Sequence, residues 1–378
     1  MAIGELRQSE AYAVTTRGGV IENKHKVHVA VVGSEGDILY HAGDVGRLTF
    51  MRSVFKPIQA LAILESGAFE KFKFDDADLA LMCASHSSES KHVNRARSIL
   101  ERIGASEKDL CCGGHPAISE AVNRQWIKED FVPTPSCSNC SGKHAGMLAG
   151  SLAIGAGIQD YQDLEHPLQI RVRLALENVS GCDPRKISWA IDGCNLPTPA
   201  LPLHYIGKMY AMLARAANLQ SYDPALPGRK GKLARIFNAM NRHPELVGGE
   251  GRFCTELMQA FPGILIGKVG ADGAYGIGIR RTQYTQGITP DSAIGIAVKV
   301  EDGNIEILYS VVAEILEQLR IGSSETRRSL ERFHRVERRN TVGVVTGGVS
   351  HLFKLRYANV LSLTAHGNKV QALTSNAF

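Results

Sequence analysis

"GILIGKVGADGAYGIGI", residues 263–279, is the stretch on which the fold turns. Its Ile, Val and Tyr residues, interrupted by Gly, read as antiparallel strands. "SAIGIAVKVEDGNIEI", residues 292–307, continues the pattern, with turn chemistry in "EDGN". The same signature lies at the other end of the chain, in "AYAVTTRGGVIE", "KVHVAVVGSEGDILYHAG" and "LTF" between residues 11 and 50. Residues 75–260 are mostly helical, with Pro- and Gly-rich loops at 111–118, 131–144 and 192–204. Strands from both ends around a helical middle predict one α/β (α+β) domain over 1–345. Its antiparallel sheet comes from about 10–50 and 262–310, and the helices form a large insertion. Helices are expected at about 307–320 and 324–338, and 346–378 is weakly patterned tail.

Hydrophobic residues make up 44% of the 378, enough for a large core. The net charge of +5 is too small over this length to argue for nucleic acid. The densest basic run, "RRSLERFHRVERR" (327–339), carries Leu330, Phe333 and Val336 at helical spacing. It reads as the solvated face of an amphipathic helix, with Glu331 able to pair with Arg335. No apolar run is long enough to span a membrane and no leader is visible, so a cytoplasmic protein with reduced thiols is expected.

"RSVFKP" places Ser53 three residues before Lys56 at the start of a helix over 54–67. At that spacing both side chains share a face, close to the free N–H groups of the first turn. Pro57 is tolerated there because its missing N–H costs nothing in the first turn. A lysine can serve as base if its pKa falls from about 10.4 to about 7–8, a cost of roughly 4 kcal/mol. A serine cluster follows in "CASHSSE", with Ser85 and Ser87, and Lys268 stands later on a predicted strand. The order S-x-x-K, serine motif, K-x-G on a strand is that of serine β-lactamases and penicillin-binding proteins. The predicted sheet with a helical insertion agrees with a serine β-lactamase-like fold.

"PSCSNCSGKHAGM" adds a C-x-x-C, Cys137 and Cys140, followed by Lys143 and His144. A closed zinc knuckle is poorly supported, because the sequence has no second C-x-x-C, its only adjacent Cys pair is Cys111–Cys112, and His144 stands alone. Prolines before the motif argue against a thioredoxin-like redox pair. Cys194, beside Asp192 in "IDGCNLPTPALPL", lies in an unusual loop for a merely structural thiol.

Together "SCSNCSGKHAGML", "RSVFKP", "CASHSSE", "WAIDGCNLPTPALPL" and "LIGKVGADGAYGIG" resemble the L-asparaginase II family, the rhizobial-type or class 3 asparaginases, from about residue 10 to 340. The resemblance implies hydrolysis of L-asparagine to L-aspartate and ammonia, by a homodimer acting on a small-molecule substrate. It implies Ser–Lys tandems at Ser53 with Lys56 and at Ser85 with Lys268. It also implies a Zn²⁺ site of Cys140, Lys143 and Cys194, with Asp192 as the acidic neighbour and Cys137 outside it. Lys56 is the expected base, with Lys268 favouring its neutral form. Arg52, Lys268, Asp192 and His144 are the candidates for holding the charged groups of the substrate. The rival readings are a β-lactam-type serine hydrolase of the same fold, which would need export, and a non-catalytic zinc-binding protein. Nitrocefin turnover would favour the first, and metal binding without amidase activity the second.

Overall fold

The protein is described by a computed structural model covering residues 11–289 and 293–358. The first ten residues, on which the leader expectation falls, and the last part of the expected tail lie outside the described residues. Three strands open the chain, β1 (Tyr12–Arg17), β2 (Val20–Gly33) and β3 (Ile38–Ala42). A small second sheet takes β4 (Leu48–Phe50), β5 (Ser188–Ile191) and β6 (Pro197–Pro202). The C-terminal third supplies β7 (Leu265–Gly270), β8 (Ala274–Ile279), β9 (Ile294–Val300), β10 (Glu337–Arg339), β11 (Val345–Leu352) and β12 (Arg356–Tyr357).

The large sheet runs β10-β11-β1-β2-β9-β8-β7, and β3 joins β2 to β12. All of its pairings are antiparallel, and β2 with β9 stitches the two chain ends together through Val27↔Val300 to Gly33↔Ile294. The helices between residues 56 and 260 are inserted between β4 and β7. This is the α/β architecture expected from the strand pattern, an antiparallel sheet from both chain ends with a large helical insertion.

Strands β7, β8 and β9 are buried at every position, which accounts for their near-continuous apolar runs. Helix Leu203–Tyr222 packs across β2, β8 and β9. The approach is so close that a Cβ on Gly295 would lie 1.8 Å from the Gly207 carbonyl oxygen. That contact requires glycine, and it explains the Gly alternation inside an otherwise strongly β sequence.

Four local expectations are corrected. The "EDGN" turn leads into a helix and not a strand. The Asn304 side chain accepts the Ile307 N–H (3.0 Å) and caps helix Ile305–Gln318. The loop at 192–204 contains β6, in which Pro197, Pro199 and Pro202 sit in the central strand of the small sheet. Prolines donate nothing to such a ladder, but their carbonyls still accept, as Pro199 does from Met51 N–H (2.9 Å).

The helix expected over 324–338 breaks into Ser324–Arg328 and Glu331–His334, because Glu337–Arg339 pairs with β11 as a strand. Its arginines meet carboxylates: Arg327–Glu317, Arg332–Glu256, Arg338–Glu306 and the expected Glu331–Arg335 pair (3.8 Å). Finally, the sheet does not stop at 345. β11 is a full partner of β1, so the domain continues through the first part of the expected tail.

Candidate active site

The serine–lysine centre is built where the insertion meets the sheet. A 3₁₀ turn, Arg52–Phe55, precedes helix Lys56–Glu65, and the Lys56 N–H donates to the Ser53 carbonyl. In a 3₁₀ turn, residues three apart lie over one another. The loop after helix Asp76–Met82 carries Ser85 and is tied down on two sides. Ser85 N–H donates to Val247 O (3.0 Å), Ser87 Oγ to Gly248 O (3.0 Å) and Ser88 Oγ to Cys137 O (2.7 Å). Strand β7 brings Lys268 in from the sheet.

Ser85 Oγ lies between two buried ammonium groups. Lys268 Nζ is 2.8 Å away and Lys56 Nζ 3.1 Å. Lys268 also donates to Val269 O (2.7 Å), and Lys56 to the carbonyls of Ala84 and Asn139. Burial, reinforced by the charge of Lys56, pushes Lys268 down to about 7. Lys268 can therefore accept a proton at neutral pH. The sequence expectation put the base on Lys56 and paired Lys56 with Ser53. In the structure Lys56 reaches Ser85, and the depressed pKa belongs to Lys268. The expected Ser85–Lys268 pair is made.

Beside this centre opens a cleft of about 300 Å³ lined by Arg52, Ser53, His115, Asn139, Cys140, Asp192 and Cys194, among others. Ser53 is half-exposed there and makes no hydrogen bond through its hydroxyl to the described residues. Lys143 stands in the first turn of helix Ser141–Ala153 and donates to Cys194 Sγ (2.8 Å). The neighbouring Cys140 thiol lowers Cys194 to about 4, whereas Cys194 and burial raise Cys140 to about 12. Burial alone would lower Lys143, but the adjacent Cys194 and Cys140 sulfurs outweigh it and raise its pKa.

Arg52 and Asp192 do not stand free. Arg52 Nε donates to Asp192 Oδ1 (2.6 Å), and its guanidinium also reaches Asp272. Burial pushes Asp192 up, but Lys143 and Arg52 outweigh it and its pKa is lowered. Arg52, Asn195 and Asp272 all adopt positive φ (49°, 70° and 56°). Such backbone costs on the order of 1–3 kcal/mol per residue and clusters at functional sites.

His144 is a correction. It is 0% exposed, bonded through Nδ1 to Tyr161 Oη (2.6 Å), and does not line the cleft. Burial, then Lys143, holds it well below the usual histidine range, so it backs the site as a neutral ring. Cys137 also stands apart, with Thr134 Oγ1 as its sulfur's neighbour (3.7 Å), and it lines a different cavity from Cys140 and Cys194. No disulfide joins any of the cysteines in the structure.

Two cleft residues escaped the sequence reading. His115 Nε2 accepts the Asn139 N–H (3.1 Å), and Asn139 Oδ1 lies 2.9 Å from Cys140 Sγ. Asn139 was within reach, since it sits between the two cysteines of the C-x-x-C. His115 had no local signal, being a lone histidine in a loop.

The model of the L-asparaginase II family matches residues 13–351. The chain belongs to that family. An L-asparaginase II protein is an amidohydrolase, and the serine–lysine and thiol–lysine clusters fall within the matched segment. No curated protein matches the chain. Among solved structures it is similar to a probable glutaminase of Bacillus subtilis, at 13% identity and TM-score 0.31, over 81% of this chain and 86% of that one. No helix of the described residues is long and apolar enough to cross a membrane.

Proposed function

We propose that the protein is an L-asparagine amidohydrolase in which a serine attacks the side-chain amide and buried lysines handle the protons. The observation that carries this is Ser85 held between Lys268 and Lys56, with Lys56 also reaching the carbonyl of Asn139, which lines the cleft together with Ser53. Ser53 is the attacking hydroxyl. Its oxygen forms the bond to the amide carbon. Its proton passes along the row Lys56, Ser85, Lys268, whose last member is neutral near pH 7. The C–N bond then breaks, ammonia leaves with a lysine proton, and water cleaves the resulting ester by the same row in reverse. Arg52 takes the substrate α-carboxylate and Asp192 its α-ammonium, each exchanging its present partner for the substrate.

We further read Cys140, Lys143 and Cys194 as the ligands of one zinc ion, with Cys137 outside. The donor chemistry fits, because Lys143 Nζ lies 2.8 Å from Cys194 Sγ and both Cys194 and Cys140 line the cleft. When bound, the metal supplies a positive charge that polarises the substrate or holds the cleft in shape. Before it binds, Cys140 and Lys143 must each lose a proton, so affinity rises with pH.

Ammonia release from Asn, Gln and small amides, with trapping of the acyl-enzyme and peptide mapping, tests the reading. Turnover of Asn with the label on Ser53 supports it. A label on Ser85 moves the nucleophile to Ser85, and nitrocefin turnover without amidase activity overturns the substrate class.

A further inference from the structure

Far along the chain from the cleft residues, a second group of metal-type ligands converges on elements that the proposed reaction does not use. Helix Ile305–Gln318 supplies Glu314, the short helix Glu331–His334 supplies His334, and β11 supplies His351. One ligand atom from each lies within 4.8 Å of the others. Their side chains are 15%, 16% and 9% exposed, so they are shielded but within reach of solvent.

The hydrogen bonds around the group define its protons. Ser310 Oγ lies 2.8 Å from the His334 carbonyl and 2.8 Å from His351 Nε2. A carbonyl oxygen only accepts, so the single hydroxyl proton of Ser310 points at it. The hydroxyl oxygen must then accept from His351 Nε2–H, so in the neutral ring the lone pair of His351 is on Nδ1. That lone pair faces Glu314 Oε2 at 3.5 Å, and two acceptors oppose each other with no proton between them. His334 Nε2 lies 2.8 Å from the same Oε2. Gln318 Nε2 holds the other carboxylate oxygen at 2.7 Å. Ser310, Glu314 and Gln318 stand four residues apart on one helix face, so a single helix provides a ligand and both groups that orient the ligands. Ligating histidines characteristically donate their second N–H to such a partner, as His351 does to Ser310.

We propose that Glu314, His334 and His351 form a binding site for a divalent transition-metal cation, separate from the cysteine–lysine cluster. Two imidazole nitrogens and one carboxylate oxygen suit zinc, cobalt or nickel rather than calcium or magnesium. The cation would take the place of the proton that His334 shares with Glu314, and His334 would carry its ring proton on Nδ1. Bound there, the metal clamps β11 and the short helix against helix Ile305–Gln318. There β11 pairs with β1 and ties the C-terminal part of the chain to its first strand.

The experiment uses the untagged full chain, stripped with chelator and titrated with Co²⁺. A thiolate-bound cobalt shows a sulfur-to-metal charge-transfer band in the near ultraviolet, and a nitrogen/oxygen site shows only ligand-field bands. Wild type should therefore retain one cobalt equivalent that lacks the thiolate band, whether or not the cysteine–lysine cluster also binds. The variant carrying both Cys140→Ser and Cys194→Ser should retain that equivalent alone. Glu314→Gln and His351→Gln should each weaken it roughly ten- to a hundredfold and leave any thiolate band intact. Absence of the non-thiolate equivalent from wild type overturns the proposal, as does its unchanged binding in both folded single variants.

Discussion

Lys268 and Lys143 are the same residue type at nearly the same depth, 0% and 2% exposed, and their pKa values move in opposite directions. Lys268 falls to about 7, whereas Lys143 rises. Burial lowers both, so burial does not separate them. The neighbour does: Lys268 faces a second cation, Lys56, and Lys143 faces the thiolate of Cys194. A buried lysine therefore becomes a proton acceptor only where the protein withholds a counter-ion. The centre holding Lys268 is suited to moving protons. The centre holding Lys143 is suited to holding charge, or a metal in exchange for its protons.

The largest effects should come from the first centre. Ser53→Ala and Lys268→Met are each expected to lower kcat by three or more orders of magnitude while circular dichroism and Tm show a folded chain. Retention of a tenth of wild-type turnover by Ser53→Ala would move the nucleophile to Ser85. Retention by Lys268→Met would remove Lys268 as the base and, with it, the functional half of the comparison.

Next is stability at the second centre. Cys194→Ser leaves Lys143 buried without its thiolate and should cost about 3–5 kcal/mol near pH 8 in denaturant unfolding. The sign with pH follows from the lowered pKa of Cys194. In the folded chain the thiolate persists down to about 4, whereas the unfolded thiol protonates near 8.5. The stabilisation is present above the unfolded value and lost as pH falls toward about 4. The gap between wild type and Cys194→Ser should thus close on acidification, and a gap constant from pH 8 to 5 would contradict the thiolate.

A smaller effect is the pH profile of the reaction. The rate should rise about tenfold per pH unit below 7 and level off above it, as Lys268 loses its proton. Conversely, Lys268→Met should stabilise the fold most at low pH. The lowered lysine pKa costs the wild type stability as pH falls from about 10.5 to about 7. A flat rate from pH 6 to 9 would show that the shift does not operate in catalysis.

The smallest effect is expected for Cys137→Ala. It should cost about 1 kcal/mol of packing and leave metal content unchanged. Loss of zinc as complete as in Cys140→Ala would rejoin Cys137 to Cys140 as a knuckle and dissolve the distinction between the two centres.

The sequence by itself determined the strand signatures at both chain ends and the helical insertion, because alternation, turn residues and helix periodicity are local. It also marked most of the candidate residues, since S-x-x-K, the serine cluster and the Cys–Lys block are short motifs. Tertiary structure alone decided the pairings. Lys56 meets Ser85 rather than Ser53, and Lys268 reaches the same hydroxyl across a separation of 183 residues. It decided that His144 turns to Tyr161 and away from the cleft, and that a proline-rich loop holds the central strand of a small sheet. It also brought Glu314, His334 and His351 together, where His334 had read as part of a solvated basic face. The physical reason is common to all of these. A lysine's proton affinity, a histidine's partner and a ligand cluster depend on charges and atoms a few ångströms away in space. No spacing along the chain carries that information.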